Sequence, residues 1–301
     1  MDPAIVLFGL GIGALVGMTG MGGASLMTPL LILVFGISPV TAVGTDIFYG
    51  AVTKTAGAWR HLKHHTVHKG IAFWLAVGSV PSAIAGVWVI ELLQRRYGEE
   101  ELNQIVLGAV GAALLVVGVA TLIRSFFLQD VIRERYALHL YTRHIIAAIV
   151  TGAVTGFVIG LTSAGSGTLI AIALIAIFRL TPQRVVGTDI FHAAVLLWAA
   201  GIAHWVGGNV NFALAGNILL GSIPGVLLGA HYAVRVPQAA LRNVLGFVLI
   251  ASAITLITKE QPPSFVLFPA LGVATLVIVA LFGTQIMLHR QQAQRTKPRA
   301  G

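Results

Sequence analysis

The chain has 301 residues, 57% hydrophobic and only 10% charged, with a formal net charge of +9. Soluble domains are about 25% charged, so this composition and a mean hydropathy of +0.91 exclude a soluble protein in favour of a polytopic membrane protein. The positive charge does not signal nucleic acid, because Lys and Arg sit at the ends of apolar runs, as the positive-inside rule requires.

In chain order, two short apolar segments, 3–18 and 24–35, flank Gly17-Met18-Thr19-Gly20-Met21-Gly22-Gly23. Three long spans follow at 38–60, 70–92 and 102–124, then a basic connector over 125–143. A second short pair, 144–161 and 168–178, flanks Thr162-Ser163-Ala164-Gly165-Ser166-Gly167. Spans at 182–205, 211–232 and 240–257 come next, then a last one at 264–288 and a basic tail over 290–301. The runs are continuous rather than alternating with period two, which argues for helices and against a β-barrel. Ser38-Pro39 and Thr181-Pro182 read as N-caps followed by Pro at the first helical position. A 12-residue helix is only about 18 Å long, too short to cross. Each short pair is therefore one broken helix or a re-entrant hairpin.

The chain is duplicated. Val43-Gly44-Thr45-Asp46-Ile47-Phe48 returns as Val186-Gly187-Thr188-Asp189-Ile190-Phe191, at an offset of 143 residues (188 − 45). The same offset carries Gly22 to Gly165, His61 to His204 and Gly78-Ser79-Val80-Pro81 to Gly221-Ser222-Ile223-Pro224. The division is a first membrane repeat over 1–124, the connector 125–143, a second repeat over 144–258, a C-terminal transmembrane helix within 259–289, and the tail.

Loop charge selects the hairpins. With the tail (Arg290, Arg295, Lys297, Arg299) in the cytoplasm, hairpins put the loops of Arg235 and Arg242, Arg179 and Arg184, Arg124 to Arg143, and Arg60 to Lys69 inside. Uncharged 206–210 and Glu99-Glu100-Glu101 fall outside. Each unit then crosses an odd number of times, which makes the repeats inverted. The expected fold is all-α: two inverted repeats, each a short-helix hairpin plus three transmembrane helices, with one extra C-terminal helix. Met1-Asp2-Pro3 lacks the basic n-region of a signal peptide. Cysteine is absent, so thiol chemistry and disulfides are excluded.

The two glycine-rich tips permit close backbone approach, and short helices starting after them aim amides inward, an anion site needing no basic residue. The expected substrate residues are Thr19, Gly20, Gly22, Gly23 and Thr45 in the first half, and Thr162, Ser163, Gly165, Ser166 and Thr188 in the second. Small-residue helix packing is the plainer reading of the glycines. Asp46 and Asp189 lie about 10 Å into their spans, where a carboxylate marks a coupling site or a polar network. Lys54, two turns beyond Asp46 and without a counterpart (its equivalent is Leu197), is assigned to Asp46; His192, three residues after Asp189, is assigned to it as a proton relay. On this reading Asp189 exchanges the proton. His61, His64, His65 and His68 sit in a basic loop without a carboxylate, so no metal site is assigned and no cofactor is expected. His204, Asn209, Asn211 and the five tryptophans read as interfacial or packing residues.

The Gly-rich first tip, the Val43–Phe48 segment, the helix ending in Trp59-Arg60-His61 and the duplication together resemble the TauE/SafE (sulfite exporter, TSUP) family over nearly the whole chain. The resemblance implies a bacterial inner-membrane permease for sulfite, an organosulfonate or another small sulfur-containing anion. The implied partners are that anion, protons and the lipid bilayer, with a homo-oligomer left open. The rival classes are an anion channel and an intramembrane hydrolase. The repeat opposes the hydrolase, since Ser166, its candidate nucleophile, corresponds to Gly23.

Overall fold

The computed structural model describes residues 2–19, 23–127, 141–165, 167–232 and 238–260, and these are helical with short connections. The expected last span at 264–288, most of the connector and the tail lie outside the described residues, as do Gly20, Gly22 and Ser166. The helices are α1 (Pro3–Thr19), α2 (Met27–Phe35) after a 3₁₀ turn at Gly23–Leu26, α3 (Pro39–Lys63), α4 (Lys69–Arg96) and α5 (Glu99–Phe127). The second half gives α6 (Thr142–Thr162), α7 (Thr168–Ala176), α8 (Pro182–Val206), α9 (Phe212–Tyr232) and α10 (Gln238–Glu260). Six of them, α4, α5, α6, α8, α9 and α10, are long and apolar enough to cross a bilayer, and α1 is a shorter apolar helix. The segment expected as the short arm 144–161 is thus a full-length helix, because Thr142 to His144 extend it. Pro39 and Pro182 open α3 and α8 as anticipated, but neither Ser38 nor Thr181 caps through its side chain; the Ser38 hydroxyl donates to Thr41 Oγ1 at 2.9 Å instead.

Glycine decides which helices touch. Gly9, Gly13 and Gly17 recur every fourth residue on one stripe of α1 and lie against the backbone at Ile218, Ser222 and Val226 of α9. In the other half, Gly152, Gly156 and Gly160 of α6 lie against Leu75, Ser79 and Ala83 of α4. In return, Gly221 packs on Val6 and Leu10, and Gly78 on Ile149 and Ala153. Without side chains in the way the backbones meet directly, and in lipid such packing replaces the missing hydrophobic drive. Every one of these contacts recurs at the 143-residue offset with the halves exchanged. Each half therefore lends its first helix to the other half's bundle.

The direction of each helix follows from the same contacts. The numbers rise together along α1 and α9, so these are parallel, as are α6 and α4. Along α3 and α8 they run oppositely: Gly50 faces Leu197 and Gly57 faces Ile190. The equivalent helices α3 and α8 therefore lie antiparallel, and so do α5 and α10, where Gly111 faces Ile257 and Gly118 faces Ile250. The start of α3 is level with the start of α9, because Thr45 Oγ1 accepts from the Asn211 amide at 3.0 Å. Between α1 and α3, which run the same way, lies the nine-residue α2, where the sequence places the return of a hairpin.

A continuous apolar core, including Leu107, Val110, Leu114 and Val117 of α5 with Ile47 and Leu174, joins the two halves. Val150, Val154, Ile223, Leu227 and Phe247 are exposed on the outer faces, the orientation expected of lipid-facing side chains.

Candidate functional site

Asp46 is buried, about two turns from the start of α3 and beside the second glycine-rich tip. Its Oδ2 accepts two short hydrogen bonds, from Thr28 Oγ1 at 2.6 Å and from Ser163 Oγ at 2.7 Å. Thr28 belongs to the first turn of α2, and Ser163 is the left-handed residue (φ 60°) that ends α6. One carboxylate thus ties the short helix of the first half to the tip of the second. Thr28 escaped the sequence reading because a threonine in an apolar helix carries no signature of its partner.

Asp189 occupies the equivalent place but not the equivalent environment. The residues 143 positions from Thr28 and Ser163 are Ala171 and Gly20, neither of which has a hydroxyl. Asp189 is buried and its Oδ1 has no hydrogen-bond partner. Lys54 is the amine nearest in effect: it acts on Asp189 more strongly than on Asp46, and Arg124 also acts on Asp189. Lys54 thus acts on both carboxylates, Asp46 included. In the antiparallel crossing of α3 and α8, the residues between Gly50 and Gly57, Lys54 among them, face those between Ile190 and Leu197. His192 lies on α8 with Asp189 and is buried. Its Nε2 engages Ser79 Oγ of α4 at 2.8 Å, across the bundle, and no hydrogen bond joins it to Asp189 among the described residues.

The two threonines of the Gly-Thr-Asp motifs accept hydrogen bonds from backbone amides. Thr188 Oγ1 accepts from the His68 amide at 2.9 Å, as Thr45 Oγ1 does from Asn211, and both threonines are fully buried. They fasten the start of each polar helix to the loop that precedes α4 or α9. Thr162 bonds back to the Val158 carbonyl at 2.7 Å and caps the Ala164 amide, so it shapes the tip rather than facing a ligand. Gly165 holds φ 96°, a conformation that glycine alone adopts without strain. Gly23 opens the 3₁₀ turn. His204 Nε2 bonds the Gly160 carbonyl at 2.9 Å and His61 Nδ1 bonds Thr66 Oγ1 at 2.8 Å, equivalent structural roles near the ends of α8 and α3.

The remaining tip residue, Thr19, lines a cavity of about 20 Å³ together with Thr168 at the start of α7, Thr121 and Arg124 of α5, and Arg242, Leu245 and Leu249 of α10. Arg124 and Arg242 were expected in cytoplasmic loops. Both lie instead within helices and are half-buried. Two guanidiniums thus lie beside the tip residue Thr19.

A family model described as "Sulfite exporter TauE/SafE" matches residues 5–256. "Probable membrane transporter protein YjnA" of Bacillus subtilis is 41% identical over 257 residues, covering 85% of this chain and all of the relative. "Probable membrane transporter protein YdhB" of the same organism is 28% identical over 80% of this chain and 93% of the relative. A "Probable membrane transporter protein" of Xylella fastidiosa is 29% identical over 86% of this chain and 97% of its own length. No solved structure matches.

Proposed function

We propose that this chain, which belongs to the sulfite exporter TauE/SafE family of membrane transporters, is a secondary carrier of a small sulfur-containing anion, sulfite or an organosulfonate, in a bacterial inner membrane. The observation that carries the reading is the junction at Asp46, where both halves meet through Thr28 and Ser163. Carriers place their sites where two repeats meet and where helices are interrupted, and here a nine-residue helix, a left-handed serine and a strained-for-others glycine converge on one carboxylate. A buried carboxylate beside an anion's route also offers a place for a coupling proton. The test is uptake of radiolabelled sulfite and C2 sulfonates into proteoliposomes, with and without a pH gradient. Gly165→Leu should abolish uptake while leaving insertion intact, since any side chain there is strained and meets Leu169 and Val117. Normal flux in that variant would reduce the tips to packing.

The halves are inverted repeats in this reading, with the C-terminus and the 60–69 loop in the cytoplasm. Antiparallel α3 and α8 support it, as does loop charge. Since the chain has no cysteine, single labels are clean. The structure favours His64 over Thr66 for the inner one, because His64 is exposed and Thr66 is tucked against Gly187. His64→Cys and Gly208→Cys are expected to react with an impermeant maleimide from opposite sides. Labelling from a common side would exclude the inverted arrangement.

A further inference from the structure

We propose that the Arg124–Arg242 cavity is an oxyanion-binding site, the positively charged station that the substrate occupies beside the tips. The site rests on the carrier reading above and adds to it the ligand-bearing residues and the ligand's chemistry. Arg124 comes from near the end of α5 and Arg242 from the first turns of α10, on opposite halves, and both line the same small cavity, where Arg242 acts on Arg124 as a like charge. The acid that acts on Arg124 is Asp189, which Lys54 also serves, and burial alone marks Arg242. Two cations held together in a half-buried place are costly unless something anionic joins them.

The rest of the lining suits an oxyanion. Thr19, Thr121 and Thr168 are buried hydroxyls on three different helices. Thr121 Oγ1 donates to the Val117 carbonyl at 2.6 Å and approaches Thr168 Oγ1 at 3.4 Å. With the Thr121 proton committed to Val117, the Thr168 hydroxyl can turn its own proton to Thr121 Oγ1 or to a ligand in the cavity. Thr168 also begins α7, whose first amides add partial positive charge. Leu245 and Leu249 close the other wall. Planar guanidiniums bind oxygens in pairs. Two of them with a hydroxyl therefore match an anion presenting three oxygens and one or two charges, such as sulfite or a sulfonate, better than chloride. The space of about 20 Å³ takes about one water. A small oxyanion enters by rotation of the two arginine side chains, whereas a lipid phosphate with its glycerol does not fit.

The test uses the full chain in nanodiscs of neutral lipid, with Arg124→Gln, Arg242→Gln, the double variant and Arg124→Lys, and radiolabelled sulfite, thiosulfate and methanesulfonate as probes. Each single Gln variant should weaken oxyanion binding about tenfold or more, the scale of one lost charge-assisted contact, and Arg124→Lys should recover part of it. With no anion present, removing one of the two like charges should raise Tm, while the rise in Tm that wild type gains from sulfite should vanish. A merely structural arginine would lower the anion-free Tm. Wild-type binding with unchanged affinity in the folded double variant overturns the site and leaves the carrier reading standing. A wild type that neither binds nor moves any of the three anions overturns both. A parallel arm with phosphatidylglycerol nanodiscs separates the sources: if anionic lipid alone reproduces the Tm rise and the variants abolish it, the ligand is a headgroup and the soluble-anion proposal is overturned.

Discussion

Gly156→Leu is expected to yield no monodisperse, folded protein. A first side-chain carbon at Gly156 would run into the backbone of Ser79, as one at Gly13 would into Ser222. Overpacking a core typically costs about 1–3 kcal/mol when neighbouring side chains can yield. Here the obstacle is a helix backbone, which moves only if α4 and α6 part along their whole seam. Separation would also pull Ser79 from His192. Gly156→Ala should show a graded version, with a lower Tm. Gly216→Leu serves as control, because nothing lies within 4 Å of the position where its side chain would start. Fluorescence-detected size exclusion and a melting curve in detergent read both. A Gly156→Leu protein that stays monodisperse with wild-type Tm would show that the seam is not the close contact described.

Asp46→Leu is expected to abolish uptake and to lower stability by about 2–4 kcal/mol, since it leaves the buried Thr28 and Ser163 hydroxyls without their acceptor at about 1–3 kcal/mol each. Asp46→Asn keeps an oxygen able to accept but loses the charge, and charge-assisted hydrogen bonds are roughly twice as strong as neutral ones. Its Tm should fall between the other two, and its uptake should drop about tenfold. Ser163→Ala frees the tip from α3 while Thr28 still holds Asp46, so its stability should change less than its transport. The matching change at Asp189 should behave differently, because Ala171 and Gly20 stand where Thr28 and Ser163 would be. If Asp189→Leu and Asp46→Leu gave the same loss of Tm, the junction would not be what sets Asp46 apart.

Six of the spans, the starts at Pro39 and Pro182 and the 143-residue repeat could be read from the chain, because hydropathy and proline act through residues close in sequence. Hydropathy needs about 20 consecutive residues, and a proline acts on its own turn. The stripes Gly9, Gly13, Gly17 and Gly152, Gly156, Gly160 were equally present in the sequence as small residues at every fourth place. What they could not say was that each stripe faces the opposite half. A helix's periodicity reports which of its faces is special, but the partner, register and direction of approach depend on segments over a hundred residues away. Only the tertiary structure put Ser163 against Asp46, crossed α3 and α8 antiparallel so that Lys54 faces the stretch that follows Asp189, and enclosed Arg124 and Arg242 beside Thr19 and Thr168. In the sequence those arginines are indistinguishable from charges at a membrane boundary. Inside the fold, the packing of α5 along α10 draws them together, and that proximity, rather than the charge of either residue, is what makes a place for an anion.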